Sequence, residues 1–251
     1  MVRDLAEGFL LETIVDERDP STTRLVLREK ISSGAKALSL AVDFLDERVL
    51  YRLTHGFGPG QPLGRALGVK KNLSTLRVLD ATAGLGTDAF FMAALGCQVR
   101  GIERSPVVAA LLLDGYRRLV ATVGSSVKSH VDSRLPLEKL RSIVSNLKFE
   151  EGQAHQVLAG LAEDERPDVI FLDPMFPEEG RSESALPKKT MQIFRRLIGT
   201  DDDSTLLFEM ALVSARSRVV VKRPLSAPHL AGRRPNTSFV GKSSRLDMYL
   251  C

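Results

Sequence analysis

From Leu76 to Pro224 the sequence alternates short apolar runs with stretches of helical period, and this alternation leaves few architectures open. "LRVLD", "CQVRGIE", "LKFEEG", "PDVIFLD" and "SRVVVKRP" read as strands. Between and after them "TDAFFMAALG", "SPVVAALLLDGYRRLV", "LPLEKLRSIV", "LPKKTMQIFRRLIG" and "TLLFEMALVSA" read as helices, the second with Ser105 as N-cap and Pro106 at the first helical position. Strands interleaved with helices in this way pair in parallel through crossovers, so the expected fold class is α/β with a doubly wound, mostly parallel sheet.

The flanking segments follow other patterns. "TRLVLRE" and "ALSLAVDF" alternate apolar and polar residues and predict an N-terminal β-hairpin unit. "THGFGPGQPLGRALG" carries Gly56, Gly58, Pro59, Gly60 and Pro62, the composition of a connector. A boundary there divides the chain into a small β-containing subdomain with its linker, 1–72, and a main domain, 73–251. "TSFVGKSSRLDMYL" reads as a terminal hairpin. No run of 18 apolar residues occurs and the N-terminus is acidic where a signal peptide is basic, so a soluble, cytoplasmic protein is expected. Cys97 and Cys251 are the only cysteines, and His55, His130, His155 and His229 lack HxxxH or HExxH spacing, which argues against a disulfide framework and against a metal site.

The best-defined chemical signal is "VLDATAGLGTDAF". In a doubly wound sheet the ligand lies at the carboxyl ends of the strands, and the first strand-to-helix turn needs glycines so that backbone can approach it. Gly84 and Gly86 occupy that turn, and Glu103 follows nineteen residues after Gly84, where an acid reaches the two hydroxyls of a ribose. An NAD site shares these features, but Asp88 would set a negative charge beside a pyrophosphate. Asp88, with Asp80 at the strand tip, suits a cation, such as the sulfonium and amino group of S-adenosylmethionine. The plainer roles are a turn hydrogen bond for Asp80 and an offset to the helix dipole for Asp88.

"FLDPMFP" ends a later strand at the same edge of the sheet. It resembles the [DNS]PP[FYW] turn of amino-group methyltransferases, with Met175 in place of the second proline. An exocyclic amine is a weak nucleophile, and acceptors on its N–H groups aim its lone pair at a methyl carbon. Asp173 by its side chain and Pro174 by its carbonyl supply such acceptors, and Phe176 offers a ring on which a flipped or single-stranded base stacks. As a bare turn, Asp-Pro and a core phenylalanine would need no function.

With a net charge of +4, the stretch from Arg216 to Arg245 holds eight Lys/Arg and no Asp/Glu, which suits a polyanion or an ordinary solvated face. "DATAGLGTDAF", "ERSPVVAALLLDG", "LDPMFP" and "RVVVKRP", in this order, resemble the blocks of the ribosomal RNA small subunit methyltransferase J family. The similarity spans about Leu25 to Tyr249. It implies a Rossmann-like class I methyltransferase that uses S-adenosylmethionine to methylate guanine N2 in small-subunit ribosomal RNA, free or in the 30S particle. It further implies cofactor contacts at Thr87 and Asp88, at Glu103 and Arg104, at Asp173 and, by ungapped spacing, at His155 and Gln156. Thr87 stands where the family often has arginine. Lys222 and Arg223 are expected to bind RNA phosphate or close the substrate pocket, or to be a solvated strand end. The alternatives are an amino-group methyltransferase on DNA or a protein amide, and a nucleotide-binding module without activity.

Overall fold

The computed structural model describes residues 2–5, 8–16, 19–30, 38–55, 57–70, 75–124, 135–175 and 203–251; the helix expected over 186–199 lies outside them. The chain begins with a four-stranded antiparallel sheet of β1 (Val2–Leu5), β2 (Phe9–Asp16), β3 (Asp19–Glu29) and β4 (Ser39–Leu40), in that order. "TRLVLRE" is therefore a strand as expected, but its main partner is "FLLETIVD", not "ALSLAVDF", of whose described residues Ser39 and Leu40 pair. Helices α1 (Glu47–Thr54) and α2 (Pro62–Leu67) follow.

The main sheet has seven strands. β5 (Arg77–Asp80), β6 (Gln98–Glu103), β7 (Leu147–Glu151), β8 (Val169–Leu172) and β9 (Arg218–Pro224) run parallel, and the hairpin of β10 (Thr237–Val240) and β11 (Ser244–Leu250) adds two strands beside β9, β11 antiparallel to it. The spatial order is β10-β11-β9-β8-β5-β6-β7. The chain builds outward from β5 through β6 to β7, then returns to lay β8 on the other side of β5. The strand direction of winding reverses between β5 and β8, and ligands of open α/β sheets bind at such a point, beyond the carboxyl ends of the strands.

Helices cover both faces. α3 (Thr87–Ala94), α4 (Pro106–Gly124) and α5 (Leu137–Ser145) share an apolar cluster with Val78, Val99, Phe171 and Val220. α6 (Ala154–Ala159) and α7 (Ser204–Ser214) pack on the opposite face against Leu79, Ile170, Val219 and Val221. Side chains of a strand alternate between faces, so consecutive residues of β9 feed different cores. The regions 1–72 and 73–251 meet in the first cluster, to which Phe9, Leu27, Phe44, Leu50 and Leu67 contribute. Phe57, in the glycine-rich connector, sets its ring 5.3 Å from that of Phe91 on α3. Asp114 on α4 accepts the Leu25 N–H at 3.1 Å, tying β3 to the main domain.

Candidate active site

Three strand tips are tied together at the reversal point. The Ala81 N–H donates to the Phe171 carbonyl and the Ala83 N–H to the Ile102 carbonyl, which extends the ladder past the end of β5. The turn then needs two left-handed residues, Gly84 at φ 55° and Gly86 at φ 75°, conformations that glycine adopts without steric cost. A Cβ on Gly86 would collide with Leu112, Phe149 and Phe44, whereas at Gly84 the nearest atom is the Thr82 carbonyl oxygen at 4.0 Å. Gly86 is thus required by packing, and Gly84 leaves open space over the backbone where a ligand can approach.

Glu103, at the tip of β6, is nearly buried. Its Oε2 accepts the Gly84 N–H at 2.8 Å and its Oε1 the Ser105 N–H at 2.7 Å. The acid therefore holds the glycine turn. A carboxylate has roughly four acceptor sites, so this pinning is compatible with hydroxyl donors. Arg104 pairs with Asp203 at 3.0 Å. Thr87 is exposed at the first position of α3, and Asp88 lies in that helix's first turn.

Asp80 is 1% exposed, and its Oδ1 accepts the Thr82 N–H at 3.2 Å. Burial pushes its carboxyl well above the usual carboxylate range; Asp88 and Asp173 add to the rise, opposed by the Thr82 N–H and the Lys222 ammonium. The Asp173 N–H donates to Thr82 Oγ1 at 2.6 Å, so one threonine links the tip of β5 to the turn after β8. Pro174 follows there, and Met175 packs on the first apolar cluster, the space-filling role that its place in the turn allows. Phe176 lies outside the described residues.

Lys222 and Arg223 adjoin in sequence and separate in space. The Lys222 Nζ lies 2.6 Å from Asp88 Oδ2 and 2.7 Å from Asp173 Oδ2. Burial alone would lower its pKa; the carboxylates of Asp88 and Asp173 overcome that and raise it above the usual lysine value. The cation faces into the site and not toward an outside phosphate. Arg223 is buried on the other face, where its Nε donates to the Pro228 carbonyl at 2.9 Å and holds the loop after β9. Arg223 thus sits apart from the acids that Lys222 joins.

His155 and Gln156 fall in the first turn of α6, half-buried and exposed respectively. The sequence reading passed over Gln153, the N-cap residue of that helix, which directly follows Gly152, whose N–H donates to the Glu103 carbonyl at 2.9 Å. The signal for it was the end of a weak strand, "LKFEEG". Among the described residues no cluster of three or more metal-ligating side chains occurs, and no helix is long and apolar enough to cross a membrane.

The arrangement joins an open glycine turn and Glu103, at the tip of β6, to Asp80 and Asp173 at the neighbouring strand tips. It fits S-adenosylmethionine: the open backbone at Gly84 and the carboxylate of Asp88 suit a nucleoside that carries a positive charge.

A family model described as "Putative SAM-dependent methyltransferase" matches residues 16–251. A protein of Saccharophagus degradans named ribosomal RNA small subunit methyltransferase J is 46% identical over 214 residues, 85% of this chain and 76% of the relative. One of the same name from Chromobacterium violaceum is 40% identical over 251 residues, 99% of this chain and 91% of the relative. The crystal structure of a SAM-dependent methyltransferase from Neisseria gonorrhoeae superposes with a TM-score of 0.67 at 28% identity, covering 99% of this chain and 85% of that one.

Proposed function

The chain belongs to the ribosomal RNA small subunit methyltransferase J family, and from that membership we propose that it methylates the N2 amine of a guanosine in small-subunit, 16S-type ribosomal RNA. It is an S-adenosylmethionine-dependent methyltransferase. The observation that carries the substrate reading is Asp173. Its backbone is fixed by Thr82 and its carboxylate by Lys222, at the strand tip next to Asp80.

S-adenosylmethionine supplies a methyl group on a positively charged sulfur. Gly84 and Gly86 shape the turn it approaches, Glu103 accepts from the ribose hydroxyls, Asp88 offsets positive charge, and Asp80 lines the site as a buried acid. Thr87, Arg104, His155, Gln156 and Gln153 border the same edge as further contacts. Asp173 and the Pro174 carbonyl accept the two N–H groups of the guanine amine and turn its lone pair toward the methyl carbon. Bound there, the donor would supply the methyl group to the amine nitrogen and keep the electrons of its carbon–sulfur bond. The amine nitrogen becomes positive beside Asp173, which stabilises that charge; one proton then leaves for water, giving N2-methylguanosine and S-adenosylhomocysteine. Lys222, held protonated by its two partners, is not the base. Phe176 is the candidate stacking surface for the base.

The substrate is taken to be ribosomal RNA or the 30S particle, in the cytoplasm. The test is transfer of labelled methyl to unmodified small-subunit RNA, naked and assembled, followed by nucleoside analysis. N2-methylguanosine is expected, and any other methylated nucleoside as the product rejects the assignment.

A further inference from the structure

Four elements bring charge to one point: Asp80 from β5, Asp88 from α3, Asp173 from the turn after β8 and Lys222 from β9. Asp80 is held protonated by burial, so the charged groups are two carboxylates and one ammonium, and attraction alone gives a site for a cationic donor no need of the ammonium. A lysine between two of the acids competes with the donor's own charge. Its backbone is nevertheless fixed in the ladder, paired with Leu246 of β11, and the preceding residues Val219 to Val221 are fully buried. The ammonium is therefore a permanent part of the site.

The reaction supplies a reason. The donor carries one positive charge more than the product left behind, since the sulfur becomes neutral when the methyl leaves. An acid cluster with no cation of its own would bind the charged donor well and the neutral product poorly. We propose that Lys222 is a positioning residue that supplies a resident positive charge to Asp88 and Asp173, evening the site's affinity for charged donor and neutral product. The inference rests on the methyltransferase reading. Lys222 acts through the two carboxylates: it fixes Oδ2 of Asp88 and of Asp173, so that Asp173 stays in place as an acceptor for the amine.

The test is titration calorimetry of S-adenosylmethionine and S-adenosylhomocysteine on wild type, Lys222→Met, Lys222→Gln and Lys222→Arg. The neutral variants are expected to raise the ratio of donor to product affinity by on the order of tenfold, the scale of one charge at hydrogen-bond range in a partly solvated site. Lys222→Arg keeps the charge and restores the wild-type ratio. Lys222→Gln, with a polar tip for the carboxylates, carries the test if Lys222→Met does not fold. A neutral variant that weakens both ligands equally, or neither, overturns the proposal and leaves Lys222 a structural ion pair. Wild type that binds neither ligand overturns the cofactor reading itself, so the two failures are distinguished by the first titration.

Discussion

Two glycines of one turn are expected to fail in different ways. Gly84 and Gly86 both have left-handed backbone, at φ 55° and 75°. Alanine in that region costs roughly 1–2 kcal/mol at either position. Their surroundings then decide the rest. A Cβ at Gly86 would stand 2.5 Å from Leu112 Cδ1, 2.8 Å from Phe149 Cζ and 3.0 Å from Phe44 Cζ. Those atoms end side chains, but they are not free to swing aside: Leu112 and Phe44 are buried, and the Phe44 ring stacks on Phe90 at 5.1 Å and on Phe149 at 6.0 Å. Overpacking of this kind adds about 1–3 kcal/mol. Gly86→Ala should therefore lose roughly 2–5 kcal/mol, at about 2–4 °C of Tm per kcal/mol for a domain of this size. Gly84→Ala should lose only the backbone share, because its new methyl meets nothing closer than 4.0 Å. That methyl would instead occupy the space over the turn, so donor affinity should fall by about tenfold or more in a protein that melts close to wild type. Urea and thermal unfolding of both variants, with calorimetric titration of S-adenosylmethionine, separate the two effects. Equal destabilisation by the two substitutions, or normal donor binding by Gly84→Ala, would refute the division of roles.

Asp173→Asn should lower kcat by on the order of a hundredfold with donor affinity less affected, since the amide no longer stabilises charge on the amine; single-turnover methylation measures it. Asp80→Asn should be more stable than wild type at neutral pH. The raised pKa of Asp80 means the folded protein holds a proton that the unfolded chain releases, so wild-type stability falls as pH rises from about 4 toward that raised value, a loss the asparagine lacks. Urea unfolding at pH 4 and pH 8 tests the sign, and a variant less stable at pH 8 contradicts it. Asp247→Ala should lose about 3–5 kcal/mol by leaving the buried Arg245 guanidinium without its acid. Burial pushes the Asp247 carboxyl up, but hydrogen bonds from Arg245, Ser238 and His229 outweigh it and leave the pKa below the ordinary value. The wild-type advantage is then present above the ordinary carboxylate range and fades as pH falls through the lowered value. A gap between wild type and Asp247→Ala that widened in acid would contradict this account.

The central sheet was legible because its strands announce themselves. "VIFL" and "VVV" are unbroken apolar runs, which only strands buried on both faces require, and α3, α4, α5 and α7 follow with helical period. The N-terminal sheet was half legible. "FLLETIVD" forms the long pairing with β3, yet it was not among the expected strands; in the fold, Glu12 is paired with Arg28 at 2.9 Å and Asp16 is buried near Arg118. Cross-strand charge pairs of this kind join residues far enough apart that local pattern gives no sign of them. α2 and α6 have six residues each, too few for a period to register. They are held by packing, with Leu67 and Leu158 buried, and propensity contributes little.

The site followed the same division. Asp80, Glu103 and Asp173 were legible because strand tips at the reversal point of a doubly wound sheet are where chemistry collects. What Asp88 and Asp173 face was not, because the cation between them comes from 134 residues beyond Asp88 and 49 beyond Asp173. Lys222 and Arg223 illustrate the reason. In the sequence they are one basic dipeptide at a strand end. The pleat sends the first toward the face of Val220 and the acids, and the second toward the face of Val219 and Val221 and the loop at Pro228. Had β9 slipped by one residue, the arginine would face the acids and the lysine the loop carbonyls. Register, set by seven paired residues of β9 and β11 and by the parallel ladder to β8, thus determines which cation the site holds. The choice has chemical consequences, since a lysine is a compact point charge shared between two single oxygens, where a guanidinium would favour bidentate capture of one carboxylate. With Oδ2 of each acid on one nitrogen, Asp88 and Asp173 are coupled, and the charge state of the donor's side of the site is felt on the side where the amine is held.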